Sequence, residues 1–143
     1  MNISDINWLA VAVSSIVYFM VSGIWFGPKT FYPAWQKAMG RNPDDINGST
    51  LPMAALFGTT FVATVAQVFT VAVVVELAIK ADAGFGLLQG IATGFLVSLG
   101  LVAFSSLSHR LFAHKKAFTV WLIEVAPDVL CLTITGAILT VWQ

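Results

Sequence analysis

Long apolar runs are the main feature of the hydropathy pattern of this chain. Four of them cover residues 7–26, 52–79, 86–107 and 118–142, and we refer to them as the first to fourth spans. Each is long enough as a helix to cross a hydrocarbon core of ~30 Å, which needs about 20 residues. The pattern predicts an all-α fold, a membrane-spanning four-helix bundle that forms one domain over residues 1–143.

The loop after the first span is expected to hold a short interfacial amphipathic helix at about residues 29–40. Phe31, Trp35 and Met39 recur at every fourth position, which places them on one helix face. Such a helix lies in the membrane interface with its apolar face against lipid, and Gly40 is expected to end it. The residues that we assign as interfacial anchors are Trp25, Phe31 and Trp35.

The basic residues predict the orientation of the bundle. Six of the seven Lys and Arg residues lie in the loops after the first and third spans, and the other, Lys80, follows the second span. The positive-inside rule places the two basic loops in the cytoplasm and both termini outside. Glu76 precedes Lys80 by one turn, and we expect this ion pair to be a solvated helix end without a function.

Composition supports a membrane protein and narrows the class of partner. Hydrophobic residues make up 58% of the chain and charged residues 10%, whereas a soluble domain carries about 25% charged residues. The net charge is zero and no basic tail is present. We therefore expect the lipid bilayer, and no nucleic acid, as a partner. The single cysteine, Cys131, excludes a disulfide framework.

Small residues recur along the third span at every fourth position, namely Gly86, Gly90, Gly94 and Ser98. This spacing lets another helix backbone approach closely, which is what associates helices in lipid. The pattern predicts a helix-packing interface, either within the subunit or between subunits. A homo-oligomer, or a place in a larger membrane complex, is the expected consequence.

The fourth span carries two acidic residues in an otherwise apolar segment. Glu124 and Asp128 lie one helical turn apart with Pro127 between them, and such groups in a membrane must be solvated, paired or protonated. Pro127 has no N–H, so the carbonyl of Ile123 is left without its helical donor. The most polar face of this helix is expected to point into the bundle, and it contains Trp121, Glu124, Asp128, Cys131, Thr135, Ile138 and Trp142.

Other spans offer polar groups at a similar depth. Counted at ~1.5 Å per residue from the cytoplasmic edge, Tyr18, Thr64, Ser98 and Asp128 all lie ~12–18 Å into the membrane, with Gln67 one turn beyond Thr64. We interpret these groups as a proton, cation or ligand site in which at least one carboxyl is protonated. The alternative is a set of packing groups beside a wet crevice. The site comprises Glu124, Asp128, Tyr18, Thr64, Gln67 and Ser98.

Metal binding has less support from the sequence. His109 and His114 are five residues apart and diverge on a continuous helix, whereas paired helical ligands favour a spacing of four. Both histidines and Arg110 lie at the cytoplasmic mouth, where a snorkelling side chain is expected to reach Glu124 but hardly Asp128. We expect no metal and no cofactor.

Aromatic and glycine positions at both ends of the chain resemble those of a known family. The matching positions are Asn7, Trp8, 23–28, Phe31, Trp35 and 136–142. With the four-span layout, they resemble the DUF1761 family of small bacterial integral membrane proteins, whose function is uncharacterised. The resemblance implies a multi-pass protein of a bacterial inner (cytoplasmic) membrane and assigns no catalytic or ligand residue.

Three functions are compatible with these features. We favour a non-enzymatic oligomeric or accessory module that packs against a partner through the third span. The alternative is a proton- or cation-linked transporter or channel that uses the acidic pair of the fourth span. A membrane enzyme ranks last, because the sequence contains no Gly-x-Ser-x-Gly motif, zinc-protease signature or nucleophile–base pair.

Overall fold

The computed structural model describes residues 3–41, 51–113 and 116–142. All regular elements in these ranges are helical, which confirms the predicted fold class. Four helices are long and apolar enough to cross a membrane, the third being the continuous helix Leu87–Phe112. The elements are the 3-10 turn Ile3–Asp5, α1 Trp8–Trp25, α2 Tyr32–Met39, α3 Met53–Ala81, α4 Leu87–Val97, the π-helical segment Ser98–Ala103, α5 Phe104–Ala113 and α6 Ala117–Val141.

Side-chain contacts define the two ends of the bundle. At one end, which we call the Asn7 end, Asn7 caps α1 by accepting a hydrogen bond from the Ala10 N–H at 3.0 Å. Its amide also donates to the carbonyl of Trp142, just after α6, and Lys80 at the end of α3 pairs with Asp5. The opposite end, where α2 and α5 meet the start of α6, is called the Arg110 end.

The glycines of the third span pack within the chain, against α6. Gly90 and Gly94 are buried, and a Cβ on Gly94 would overlap the carbonyl oxygen of Leu132 and lie 3.0 Å from its carbonyl carbon. A Cβ on Gly136 would lie 3.1 Å from the carbonyl carbon of Gly90. The sequence leaves the partner of this seam open, and at Gly90 and Gly94 the structure assigns it to α6. Gly86 lies outside the seam, at the N-terminus of α4.

The third span is longer than its apolar run and is not a uniform α-helix. The helix continues to Ala113, six residues beyond the predicted end at 107, because hydropathy marks where lipid contact ends and not where helical hydrogen bonding ends. Residues Ser98–Ala103 are π-helical. The indole N–H of Trp121 on α6 donates to the carbonyl of Ala103 at 2.8 Å, so α6 supports the end of this segment.

The expectation of a solvated Glu76 is wrong. The predicted pair with Lys80 is present, with Nζ 3.2 Å from Oε1, but Glu76 is only 5% exposed. It follows Val75 in the core-facing part of α3, and Ile6, which is 4% exposed, also packs into the core. Proximity to the end of a helix therefore does not imply contact with water, because neighbouring elements cover this face.

The short helix in the first loop lies against the bundle. It runs over Tyr32–Met39 and ends at Gly40, as predicted, with Gly40 in the left-handed region at φ 70°. Glycine adopts this conformation without the steric cost that a Cβ brings. Trp35 is half-buried and faces α6, whereas Phe31 is 42% exposed.

Candidate functional site

Three side chains from three different spans meet in the middle of the bundle, and we call them the central triad. The hydroxyl of Tyr18 on α1 lies 2.6 Å from Oδ1 of Asp128 on α6. The same hydroxyl lies 2.8 Å from Oε1 of Gln67 on α3. Tyr18 is itself only 3% exposed. The sequence places Gln67 one turn beyond the layer of Tyr18 and Asp128, and the structure brings all three side chains together.

The number of protons available for hydrogen bonds limits the arrangements that the central triad can adopt. A tyrosine hydroxyl has one proton, while an ionised carboxylate and an amide oxygen only accept hydrogen bonds. Tyr18 therefore cannot donate to Asp128 and Gln67 at the same time. Both contacts are hydrogen bonds only if the Gln67 amide is rotated so that its NH₂ donates, or if Asp128 is protonated and donates to Tyr18. The arrangement with a protonated Asp128 contains one proton more than the arrangement with a rotated Gln67 amide, so the triad can hold an additional proton.

Glu124 belongs to a separate group at the Arg110 end. Its Oε1 accepts a hydrogen bond from the indole N–H of Trp35 at 2.9 Å, and its Oε2 lies 2.7 Å from Nε of Arg110. Arg110 reaches Glu124 as expected. The two predicted acids of α6 therefore have different surroundings, because Glu124 pairs with a cation while Asp128 contacts the neutral hydroxyl of Tyr18.

The carbonyl of Ile123, which has no helical donor because Pro127 lacks an N–H, accepts a hydrogen bond from another helix. The indole N–H of Trp25 on α1 lies 3.0 Å from the carbonyl oxygen of Ile123, and the Trp25 ring stacks on Phe31 with centroids 4.1 Å apart. The sequence predicts the free carbonyl but not its donor, since tryptophans near headgroup level suggest membrane anchors. The anchoring role of Trp25 remains a prediction, and its N–H group is directed at α6.

Two other predicted site residues, Thr64 and Ser98, are buried but form no hydrogen bond with the central triad. Thr64 is 5% exposed, one turn before Gln67 on α3, and Ser98 is fully buried. The Ser98 hydroxyl donates to the carbonyl of Phe95 in its own helix at 2.7 Å. Cys131 is also buried, one turn beyond Asp128 on α6, and its Sγ lies 3.9 Å from the carbonyl oxygen of Tyr18.

No metal centre is evident among the described residues, where no three His, Cys, Asp or Glu side chains come together. Nδ1 of His109 lies 3.1 Å from the carbonyl of Ser105 in its own helix. His114, the other histidine considered, lies outside the described residues.

The family model described as "Protein of unknown function (DUF1761)" matches residues 9–140, nearly the whole chain. The chain belongs to the DUF1761 family. Searches among curated proteins and among solved structures give no match. The arrangement of its own side chains is therefore what indicates a function for this DUF1761 protein.

Three buried polar atoms of this DUF1761 protein have no hydrogen-bond partner within the described part of the chain. They are Oγ of Ser14 on α1, Oγ1 of Thr135 on α6 and Oε2 of Glu76 on α3. All three lie between the central triad and the Asn7 end, on the same three helices that supply the triad. Sequence reasoning missed Ser14 and Glu76, because a serine in a membrane helix usually bonds to its own backbone and Glu76 lies near a helix end.

Proposed function

We propose that this protein is a proton-linked membrane transporter in which Asp128 is the proton-binding carboxyl. The observation that carries the proposal is the contact of one hydroxyl, that of Tyr18, with both Asp128 and Gln67. An ionisable residue inside a membrane span is costly and is usually retained for a function such as proton relay. Here the carboxyl contacts the neutral hydroxyl of Tyr18, so a proton can bind and leave without first breaking an ion pair.

The distances in the central triad favour a proton over a metal cation as the ligand. Oxygen ligands lie about 2.0–2.6 Å from Mg²⁺ or Ca²⁺, so two ligand oxygens of one ion are about 3 Å or more apart. The oxygens of Tyr18 and Asp128 are 2.6 Å apart, a separation that a shared hydrogen produces. This distance is shorter than that between oxygens of two residues that bind one such ion.

We further propose that the Arg110 end faces the cytoplasm of a bacterial cell, with both termini outside. Lys29, Lys37 and Lys116 accompany Arg110 at this end, in agreement with the positive-inside rule. Glu124 is one turn, about 6 Å, from Asp128 along α6. We assign Glu124 as the cytoplasmic entry group, which exchanges protons with the triad when the Arg110 ion pair opens.

A second proposal is a non-enzymatic oligomeric or accessory module that packs against a partner through the third span, and it has less support. Gly90 and Gly94 are covered by α6, so the small-residue face that a partner would use is already occupied. Association of two copies would have to use another surface. Chemical cross-linking in native membranes tests whether two copies associate. An oligomer should give a dimer band, and a monomer band alone would contradict an oligomeric module.

Proton flux into proteoliposomes tests the transport proposal. A pH-sensitive dye inside the vesicles reports the flux under an imposed pH gradient. Asp128→Asn, which keeps the shape but cannot ionise, should abolish the protein-dependent flux. Asp82→Asn is the matched control, because Asp82 is exposed in the loop after α3, and it should leave the flux unchanged. Equal flux in wild type and Asp128→Asn would refute the proposal.

A further inference from the structure

The outer half of the bundle contains a series of polar groups that the central triad does not use. Ser14 is four residues from Tyr18 along α1, Thr135 is seven from Asp128 along α6, and Glu76 is nine from Gln67 along α3. At ~1.5 Å per residue, these positions are about 6, 10 and 13 Å nearer the Asn7 end than the triad. Measured along the helix axes, the three groups therefore lie at increasing distance from Asp128.

The first two of these groups, Ser14 and Thr135, each have a buried hydroxyl that is available for a hydrogen bond. Ser14 and Thr135 are both 1% exposed, and neither hydroxyl has a hydrogen-bond partner among the described residues. This differs from Ser15 and Thr133, whose hydroxyls donate to carbonyls one turn earlier in their own helices. Buried polar groups without partners are rare in folded proteins and call for a specific explanation.

Glu76 at the last step is in an unusual electrostatic position. One of its oxygens lies 3.2 Å from Nζ of Lys80, and the other is buried without a partner in the described chain. Lys80 also pairs with Asp5, so one ammonium group serves two carboxylates. No other charged residue occurs on the parts of α1 and α4 packed beside α3, and the acids of α6 are in its other half.

We propose that Glu76 is a second proton-binding site, the outer exchange group for the proton held at Asp128, with Ser14 and Thr135 as the steps between them. The proposal rests on the proposed function for its inner partner, Asp128. The α3 face between Gln67 and Glu76 is filled by apolar residues such as Val71 and Val75, both 0% exposed. Polar steps on this stretch therefore come from α1 and α6.

The transfer conserves protons at every step. Asp128 releases a proton, and each hydroxyl accepts one on a lone pair of its oxygen while it gives up its own, directly or through water. The Glu76 carboxylate accepts the proton and becomes neutral, which removes its attraction for Lys80. Lys80 is 42% exposed and remains paired with Asp5. When Lys80 returns to Glu76, the proton leaves to the outside.

Labelling with dicyclohexylcarbodiimide tests proton binding without a transport assay. This apolar reagent adds to protonated carboxyl groups in membranes and leaves a stable acylurea that peptide mass spectrometry detects. In wild-type protein in liposomes, Glu76 should be labelled, more so as the pH is lowered, and Glu76→Gln should remove that label alone. The labels on Glu76 and Asp128 are read from different peptides of the same sample.

The two labels separate this inference from the proposed function. Labelled Asp128 with unlabelled Glu76 at every pH would overturn the second site and leave the proposed function standing. Labelled Glu76 with unlabelled Asp128 would overturn the proposed function and leave Glu76 as a proton-binding group. The absence of both labels would overturn both proposals.

Removal of the hydroxyls tests the route in the flux assay. The double variant Ser14→Ala and Thr135→Val removes both hydroxyls, with valine keeping the shape of threonine, and should lower proton flux by about tenfold or more. Thr133→Val is the matched control, since its hydroxyl bonds within its own helix, and it should not change the flux. Wild-type flux in the double variant would overturn the route.

Discussion

The seam between α4 and α6 gives a prediction whose size can be worked out from the structure. A Cβ on Gly94 would lie 3.0 Å from the carbonyl carbon of Leu132 and 3.1 Å from Cα of Thr133. Carbon atoms in good contact are about 3.5–4.0 Å apart, and the carbonyl oxygen of Leu132 would lie closer to this Cβ than either carbon does. Gly94→Ala therefore forces the two helices apart by at least about 0.5 Å. The obstacle is backbone, which no change of side-chain rotamer relieves.

Gly94→Ala should therefore lower the free energy of unfolding. Overpacking of a buried contact costs about 1–3 kcal/mol, which exceeds the gain of about 0.5–1 kcal/mol that alanine brings to a helix. Gly100→Ala is the matched control in the same span, because nothing lies within 4 Å of a Cβ added there. It should leave the stability unchanged or raise it.

Reversible unfolding in lipid bicelles, followed by tryptophan fluorescence, measures both variants. The account expects a lower free energy of unfolding for Gly94→Ala and no loss for Gly100→Ala. Equal stabilities for the two variants would refute the reasoning, since they would show that α4 and α6 are not in backbone contact at Gly94.

The same unfolding assay tests three hydrogen-bonded contacts. Trp25→Phe should cost about 1 kcal/mol in the wild type and much less beside Pro127→Ala, because the restored N–H then bonds the carbonyl that the indole serves. A double-mutant cycle on Arg110 and Glu124 should give about 1 kcal/mol or less, since their side chains are 34% and 21% exposed. Tyr18→Phe should lower stability by about 1–2 kcal/mol, because it removes two interhelical hydrogen bonds of about 0.6 kcal/mol or more each.

Particular results would contradict these three predictions. Additive costs for Trp25→Phe and Pro127→Ala would show that the two residues do not share one carbonyl. A large coupling between Arg110 and Glu124 would mean that this ion pair is more deeply buried than its exposure indicates. An unchanged stability in Tyr18→Phe would mean that the hydroxyl is not part of a hydrogen-bonded triad.

Hydropathy and elementary backbone chemistry predict much of this molecule. The four spans follow from the length of the apolar runs, and the free carbonyl of Ile123 follows from the missing N–H of Pro127. Helix depth alone predicts one layer for Tyr18, Thr64 and Asp128, with Gln67 one turn beyond it. These features depend on distances along single helices, which the sequence contains.

Features that depend on how helices face each other are less predictable. Trp35 has the same sequence pattern whether its ring lies in lipid or its N–H reaches Glu124. Glu76 has the same spacing to Lys80 whether it is solvated or buried. The glycines of the third span fit an internal or an external partner equally well. Each choice is decided by side chains on another helix, and a single-helix pattern contains no information about them.

The most direct test of the central claim is the infrared spectrum of the protein in lipid. A protonated carboxyl gives a carbonyl stretch that is separate from those of carboxylates and amides. Wild-type protein should show such a band. The band should be lost in Asp128→Asn and shifted in Tyr18→Phe, because the hydroxyl no longer contacts the carboxyl. Spectra of wild type and Asp128→Asn that are identical at every pH would contradict a proton-binding Asp128.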